Sequence, residues 1–456
     1  MKKIELAFYF EDCGKPEMAE GCYLEILAED PQDANALHNL GRLYHAHGFI
    51  DKALLQFRKL VKHYSDSSSS NTLANILLDV GRAKDAMNLF INESDKLMAS
   101  THIYDYEICK SMHEKYGEKY PTPMRNRYGT GRIGFISPDF NKSTVMDFFL
   151  AVLSKEHYCY HDSSKSDELT AKVQQGCASF TDVYDFSDQE LHDRLEKDKI
   201  DYVIDLAGHF DRQRRDFFGK IHSYNYIRYV HGTGVKHSVR ISDGTIDPWS
   251  TQENILKIKG CCFGYTGEEK APLSVGSNKD RIYGSLNRAG KFSDDLLKAW
   301  AGILEEDQQG ILKVLCVGGE QSIQLRSRII DAGIQSHRLQ LVPTNKWYYH
   351  FVSSCDVILD SYAYSGVTTT CDALWAGVPV VTLSGYGPQS RVGASLLRGA
   401  NLGHLVADSV SDYIALASGA AVVGLSGRDM REHVRQSPLM DGSIQRRFTE
   451  ALYGGH

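Results

Sequence analysis

No apolar run in this 456-residue chain comes near the ~20 residues that a membrane-spanning helix needs. Nor is there an excess of positive charge. Lys and Arg number 51 against 58 Asp and Glu, a net charge of −7, which argues against a nucleic-acid binder held by bulk electrostatics. The ten cysteines include no Cys-x-x-Cys pair, and adjacent Cys261 and Cys262 are their single cluster. Reduced, mostly buried thiols are therefore expected rather than a disulfide framework or a metal site. The opening MKKIELAFYFEDCG has a basic pair but then acids, without a long apolar core or a small-residue cleavage site, so a cytoplasmic location is expected. A Gly-x-Gly-x-x-Gly in its dinucleotide setting, after a strand and opening a helix, is also missing, which disfavours a nicotinamide or flavin cofactor. What remains is an ordinary globular composition, 42% hydrophobic and 24% charged, with length for roughly two to four domains.

The first quarter is periodic. Gly-x4-Ala-x3-aromatic recurs as Gly14, Ala19, Tyr23, then Gly48, Ala53, Phe57, then Gly81, Ala86, Phe90, at intervals of 34 and 33 residues. Leu37, Leu40, Gly41 and Tyr44 precede the second unit and Leu60 follows it. The pattern resembles a tetratricopeptide repeat, in which a small residue on one helix receives an aromatic from the other. The third unit is degenerate, and Ser67–Ser70 reads as an inter-repeat loop. Stacked helical pairs make a curved groove that holds a partner or substrate peptide. A purely structural cap on the following region is the plain alternative.

After a helix and connector over 101–130, the pattern changes to alternating strands and helices. Arg132–Ser137, Tyr202–Leu206 and Tyr226–Val230 read as strands, and Val145–Leu153 and Asp188–Lys197 as helices. A second set follows: Lys313–Val317, Leu339–Val342, Val357–Leu359 and Val378–Leu383. Such alternation implies parallel sheets, with ligands at the carboxyl ends of their strands. The most telling stretch is Asp356–Gly385, a buried strand closed by Asp360, a turn at Gly366, and a helix starting at Thr368, Thr369 and Thr370. A helix start carries unpaired N–H groups and partial positive charge, suited to phosphate. Asp372, one turn on, could accept from a ribose hydroxyl. An ordinary capped helix is the alternative.

Several segments in order resemble the glycosyltransferase family of the protein O-GlcNAc transferases and their bacterial relatives. They are RIGFISPDF (132–140), IDYVIDLAGHF (200–210), HGTG (231–234), YGSLNRAGKFSDDLLKAW (283–300), SGVTTTCDALWAGVPVVTL (365–383), QSRVGASLL (389–397) and SPLMDGSIQRRF (437–448). The resemblance implies α/β architecture of GT-B type: two Rossmann-like domains facing across a cleft, behind tetratricopeptide-like helical repeats. It divides the chain into repeats (1–100), helix and connector (101–130), an acceptor-side Rossmann-like domain (131–270), a UDP-sugar domain (271–420) and C-terminal helices (421–456). It further implies a metal-independent, inverting transfer of GlcNAc or another hexose from a UDP donor to Ser or Thr of a protein. No cofactor and no metal are expected, in keeping with the lack of an Asp-x-Asp. Lys291 and the Thr368–Thr369 helix start would then meet the leaving diphosphate, and Asp372 the ribose. By the same resemblance Asn287, Gly366, Val367 and Thr370 line the donor, and Tyr348 stands where a ring could stack on the uracil. Arg391 is a cleft cation or a strut between the halves.

Departures from the family pattern limit what carries over. Ser143 stands where the family has a His near sugar and acceptor, and a serine is no base near neutral pH. His209 is then the titratable candidate for catalysis, beside Lys291. Val367 replaces a His or Gly before the Thr pair, and a sugar-bordering loop is shortened to RYVHGTG (228–234), so His231, Gly232 and Thr233 would line the donor in another way. The expected partners are a UDP-sugar and a protein or peptide acceptor held by the repeats, with a protein partner or oligomer through the repeats also open. Asn, small-molecule or glycan acceptors, and a catalytically decayed interaction module, are the alternative readings.

Overall fold

The computed structural model describes residues 2–64, 67–90, 128–207, 214–218, 221, 223–225, 239–247, 254–267, 271–274, 280–316, 320–344, 348–419 and 426–454, with 96, 99, 103, 107, 108 and 111 singly. The chain begins with helices α1 (Lys3–Asp12), α2 (Pro16–Glu29), α3 (Ala34–Ala46), α4 (Ile50–His63), α5 (Ser67–Asp79) and α6 (Ala83–Leu89), packed in antiparallel succession. The periodic glycines turn the chain between the two helices of each pair. Gly14, Gly48 and Gly81 have φ of +66°, +76° and +79°, the left-handed conformation that costs glycine least. Ala19, Ala53, Ala86, Tyr23 and Phe57 are fully buried and Phe90 nearly so, and the Phe57 ring lies against Gly41 of α3, where a Cβ would come within 2.6 Å of it.

One expectation fails here. Ser67–Ser70 is the first turn of α5 rather than a loop. Serine is tolerated in a first helical turn, and the stripe Leu73, Ala74, Ile76, Leu77 that follows is buried, drawing the segment onto α4. A serine run read alone carries no trace of that stripe.

Behind the repeats lie two parallel sheets. The first joins β1 (Ile133–Ser137), β2 (Tyr158–His161), β3 (Ser179–Asp182), β4 (Tyr202–Asp205), β5 (Ser223–Asn225), β6 (Val239–Asp243) and β7 (Asn254–Ile258), in the order β3-β2-β1-β4-β5-β6-β7. The second joins β8 (Ile282–Ser285), β9 (Ile311–Cys316), β10 (Leu339–Pro343), β11 (Val357–Leu359), β12 (Val380–Leu383) and β13 (Val406–Ala407), in the order β10-β9-β8-β11-β12-β13. Among the described residues every ladder is parallel. Strands covered on both faces explain why IGFIS of β1 and VVTL of β12 are buried at every position. Strand order reverses between β1 and β4 and again between β8 and β11. These are the points where a crevice opens beyond the carboxyl ends. The strand expected over 226–230 lies outside the described residues; β5 ends just before it.

The glycine spacing of a dinucleotide fingerprint does occur once, at Gly129, Gly131 and Gly134, but it leads into β1 instead of out of a strand into a helix. Gly129 and Gly131 both turn at φ +71° and donate their N–H groups to the Asp201 carboxylate, so the motif is a turn anchored to a side chain.

The two halves share one apolar core and are tied by polar bonds. Arg391 Nε donates to Thr245 O at 2.7 Å and Nη1 to Gly385 O at 3.1 Å, the geometry of a strut. Ser395 Oγ donates to Asp243 at 2.5 Å. The last helix, Ser443–Gly454, returns to the first half, stacking Phe448 on Phe135 and donating from Gln445 to Leu153 O at 3.0 Å. All nine described cysteines are free thiols and seven of them are buried. Among the described residues no helix is long and apolar enough to cross a membrane.

Candidate active site

The switch point of the second sheet gathers the distinctive side chains. Pairing of Ile358 with Gly284 across β11 and β8 sets the end of β11, Asp360, beside the segment that carries Asn287. Asp360 is 1% exposed and accepts four hydrogen bonds: from Gly366 N at 2.7 Å, Thr382 Oγ1 at 2.8 Å, Ser361 N at 2.9 Å and Asn287 Nδ2 at 3.1 Å. Burial raises its pKa, and the N–H of Gly366, Thr382, Lys291 and Asn287 oppose that rise. This one carboxylate therefore joins the ends of β8, β11 and β12 to the loop ahead of the helix Thr368–Trp375. The sequence marked Asp360 only as a strand end. Its position at a switch point was the signal that could have singled it out.

The expected donor-side residues fall into two groups. Asn287, Gly366, Thr369 and Thr370 come together with Lys291 around the 360–366 loop. Asn287 uses its amide at both ends, donating to Asp360 and accepting from Thr369 Oγ1 at 3.3 Å. Gly366 is pressed so closely that a Cβ there would run into Thr369 Oγ1 and stand 3.0 Å from Asn287 Oδ1 and 3.1 Å from Thr370 Oγ1, so any side chain would displace the Thr369 hydroxyl from Asn287. Thr370 Oγ1 donates back to Gly366 O at 3.1 Å. Val367 occupies the N-cap, where an aliphatic side chain offers no oxygen to the first N–H groups of the helix, and Thr368 opens that helix half-buried.

Lys291 lies in the short turn Ala289–Lys291. Its ammonium donates to Ser365 O at 3.0 Å and sits 4.1 Å from the centre of the Tyr364 ring. Burial brings its pKa down to about 8 from 10.5, with Asp360 pulling it up and Arg288 pushing it down. Lys291 is thus no solvated surface lysine. The neighbouring Ser365 Oγ is buried and has no hydrogen-bond partner among the described atoms.

Asp372 forms the second group and is engaged in a way the sequence did not foretell. Tyr265 donates to Oδ1 at 2.5 Å, Tyr349 to Oδ1 at 3.2 Å and Tyr348 to Oδ2 at 2.9 Å. Tyr348 therefore uses its hydroxyl on Asp372, with its ring edge-on to Tyr349 at 5.2 Å. Tyr265 comes from the segment after β7, so the bond crosses between the halves. Burial first and Asp372 second hold the Tyr265 and Tyr348 hydroxyls far above the ordinary tyrosine range, which keeps them donors. Tyr265→Phe keeps the ring against Phe148 and removes only the hydroxyl. We expect a loss of ~1.5–3 kcal/mol in urea unfolding, the value of a bond to a charged group. An unchanged midpoint would mean that the tie carries no load.

On the first sheet, Ser143 Oγ donates back to Asp139 O at 3.0 Å, an intra-turn bond. Asp205, at the end of β4, accepts from Ala207 N at 2.8 Å. His209, His231, Gly232 and Thr233 lie outside the described residues.

Residues 276–443 match the family model described as Glycosyl transferase family 41, and residues 22–54 match Tetratricopeptide repeat. Among curated relatives, a Petunia hybrida protein is 29% identical over 423 residues, 85% of this chain and 44% of its own length. An Arabidopsis thaliana protein is 30% identical over 414 residues, 83% and 44% respectively. Both carry the name "Probable UDP-N-acetylglucosamine–peptide N-acetylglucosaminyltransferase SPINDLY". The chain thus spans less than half the length of these relatives. A solved O-GlcNAc transferase of Thermobaculum terrenum superposes with a TM-score of 0.80, covering 99% of this chain and 95% of that one at 24% identity, a likeness of fold.

Proposed function

We propose that this chain, which resembles the O-GlcNAc transferase family from its repeats through both Rossmann-like halves, is an inverting, metal-independent glycosyltransferase that moves a sugar from a UDP donor to Ser or Thr of a protein. The observation that carries the reading is the convergence of the Lys291 ammonium, the Asn287 amide and the start of the helix Thr368–Trp375 on the switch between β8 and β11. Fixed N–H groups and a cation in a water-poor site favour the charge that develops on a departing diphosphate. The acceptor hydroxyl attacks the anomeric carbon in line. The bond from that carbon to the phosphate oxygen breaks, its electron pair leaves on UDP, and the hydroxyl proton passes to phosphate or water, because Ser143 offers no base. Thr368 and Thr369 face the phosphates, Thr370 lines the site from behind through its bond to Gly366 O, and Gly366 and Val367 border it. Asp372 takes a ribose hydroxyl on a lone pair that its tyrosines leave or yield, with Tyr348 beside the base. His231, Gly232 and Thr233 are the further donor-lining candidates and His209 the further catalytic one. No metal is needed where Lys291 and a helix start meet the diphosphate, and the sequence has no Asp-x-Asp to hold one. The acceptor peptide lies along the repeats.

Lysate proteins incubated with the chain and a panel of nucleotide sugars, then read by mass spectrometry, test this directly. UDP-sugar-dependent mass gains on Ser or Thr peptides are expected, unchanged by EDTA. Gains on Asn or on glycans would move the acceptor class, and no turnover of any UDP-sugar would point to an interaction module.

A pH dependence follows from Lys291. Free, it is charged below about pH 8 and neutral above. A diphosphate alongside favours the charged form, so UDP affinity falls as pH rises through that value and binding takes up a proton there. Titration calorimetry at pH 8.5 in two buffers of different ionisation enthalpy reads the uptake. Equal enthalpies in both would remove Lys291 from the diphosphate.

A further inference from the structure

We propose that Arg328 is a positioning residue for Lys291, through which the third helical repeat holds the Lys291 turn in place; this rests on the reading of Lys291 as the cation facing the diphosphate. The turn Ala289–Lys291 is a single short 3₁₀ turn closed by Lys291 N to Arg288 O at 2.9 Å and Phe292 N to Ala289 O at 3.0 Å. So short a turn has little rigidity of its own. Its inner side is anchored by Phe292, fully buried against Trp300 with ring centres 5.0 Å apart. Its other side is covered by the repeats. A Cβ on Gly290 would run into the Leu78 carbonyl of α5 and stand 3.6 Å from Asp79 Cα, so glycine is what lets repeat and turn touch.

Arg328, on the helix Glu320–Asp331, bridges the same three parts. Its Nη1 donates to Val80 O at 2.9 Å, at the end of α5. Its Nη2 donates to Phe292 O at 2.7 Å, the residue after Lys291, and to Asp294 at 3.0 Å, the first residue of the next helix. The carbonyls that end a helix lack intrahelical donors and carry its negative partial charge, so a guanidinium is a suitable partner. Its planar fork also holds separated donors in a fixed geometry, which the compact ammonium of a lysine does not reproduce. Nearby, Gln324 is hydrogen-bonded to Asp51 of α4, a second tie between the repeats and the same helix. The repeats are in this way part of the wall behind Lys291 as well as a groove for the acceptor. Deleting residues 1–100 would uncover the Lys291 turn, so loss of transfer in that deletion would not by itself speak for peptide binding.

The test uses the whole 456-residue chain and reads Lys291 without any nucleotide. Pulsed acetylation with acetic anhydride across pH 6.5–11, with peptide mass spectrometry, gives the titration of Lys291 in the wild type, expected near the value of about 8 that its enclosure sets. In R328A the turn loosens, and the midpoint should move up towards the ordinary 10.5, with labelling below pH 8 following the shift. Transfer should fall ~10-fold or more in kcat with KM for the donor little changed, since misplacement of a catalytic group costs rate rather than binding. R328K, gentler on folding, should give a smaller shift in the same direction. A Lys291 titration in R328A and R328K identical to wild type overturns the inference whatever happens to transfer. A shifted titration in a protein that neither binds UDP nor transfers sugar upholds the positioning and sinks the nucleotide reading.

Discussion

Lys291→Ala is expected to lower kcat for sugar transfer on the order of a hundredfold to a thousandfold, ~3–4 kcal/mol of barrier, by analogy with removing one fixed donor from an oxyanion hole. UDP binding should weaken only as far as it does when wild-type Lys291 is deprotonated at high pH, a loss small beside that in kcat, because Asn287 and the helix start at Thr368 remain and act on the ground state as well. The ammonium is held at Ser365 O and above Tyr364, so it is fixed before substrate arrives and needs no reorganisation as the diphosphate leaves. Folding should not suffer. A lysine whose folded pKa lies below its unfolded one stabilises the fold only where it is neutral, above 10.5, and that contribution is lost as pH falls through about 8. At neutral pH its removal therefore relieves a partly buried charge, and Lys291→Met should melt no lower than wild type. Steady-state kinetics, UDP titration and thermal melts check the three parts separately. Full activity in Lys291→Ala would take the residue out of the mechanism.

The second large effect is on the fold of the site. Asp360→Ala removes the acceptor of four hydrogen bonds in a position that water does not reach. Gly366 N, Ser361 N, Thr382 Oγ1 and the Asn287 amide would lose it together, and Lys291 would lose the nearest negative charge that supports it. A destabilisation of ~3–5 kcal/mol is expected, as for breaking a buried charged network by removing one partner. Urea unfolding reads it. Asp360→Asn keeps an acceptor oxygen but turns an amide towards one of the donors, so an intermediate loss is expected, with Lys291 titrating lower than in wild type. A variant as stable as wild type would show that the loop 360–366 is held by its neighbours and not by this carboxylate.

The outline of both effects was readable in the chain. Val357–Leu359 was expected as a strand and forms one over those residues, and the helix begins at Thr368 as the hydroxyl run suggested. The repeat glycines, alanines and aromatics fall on the turn and core positions that their spacing implied. Each of these rests on local rules: a left-handed turn needs glycine, a buried strand needs an apolar run, and an amphipathic period needs a core to face. Ser67–Ser70 failed because its conformation is decided by the apolar stripe after it and by α4, neither of which a serine run reports.

The sequence by itself determined the element types, the repeat and the parallel halves, because these depend on patterns within some thirty residues, whereas Lys291, which meets the Ser365 carbonyl across 74 residues, was placed near the second switch point by the family resemblance alone. What only the tertiary structure decided is how those side chains are employed. Tyr265 meets Asp372 across 107 residues of chain, and Arg328 meets Val80 across 248. Asp360 became a hub because β8, β11 and β12 converge at their carboxyl ends, and Lys291 became an enclosed cation because a repeat helix lies against its turn. Contacts over such separations depend on how whole elements pack, and no spacing along the chain encodes which hydroxyl or guanidinium will arrive.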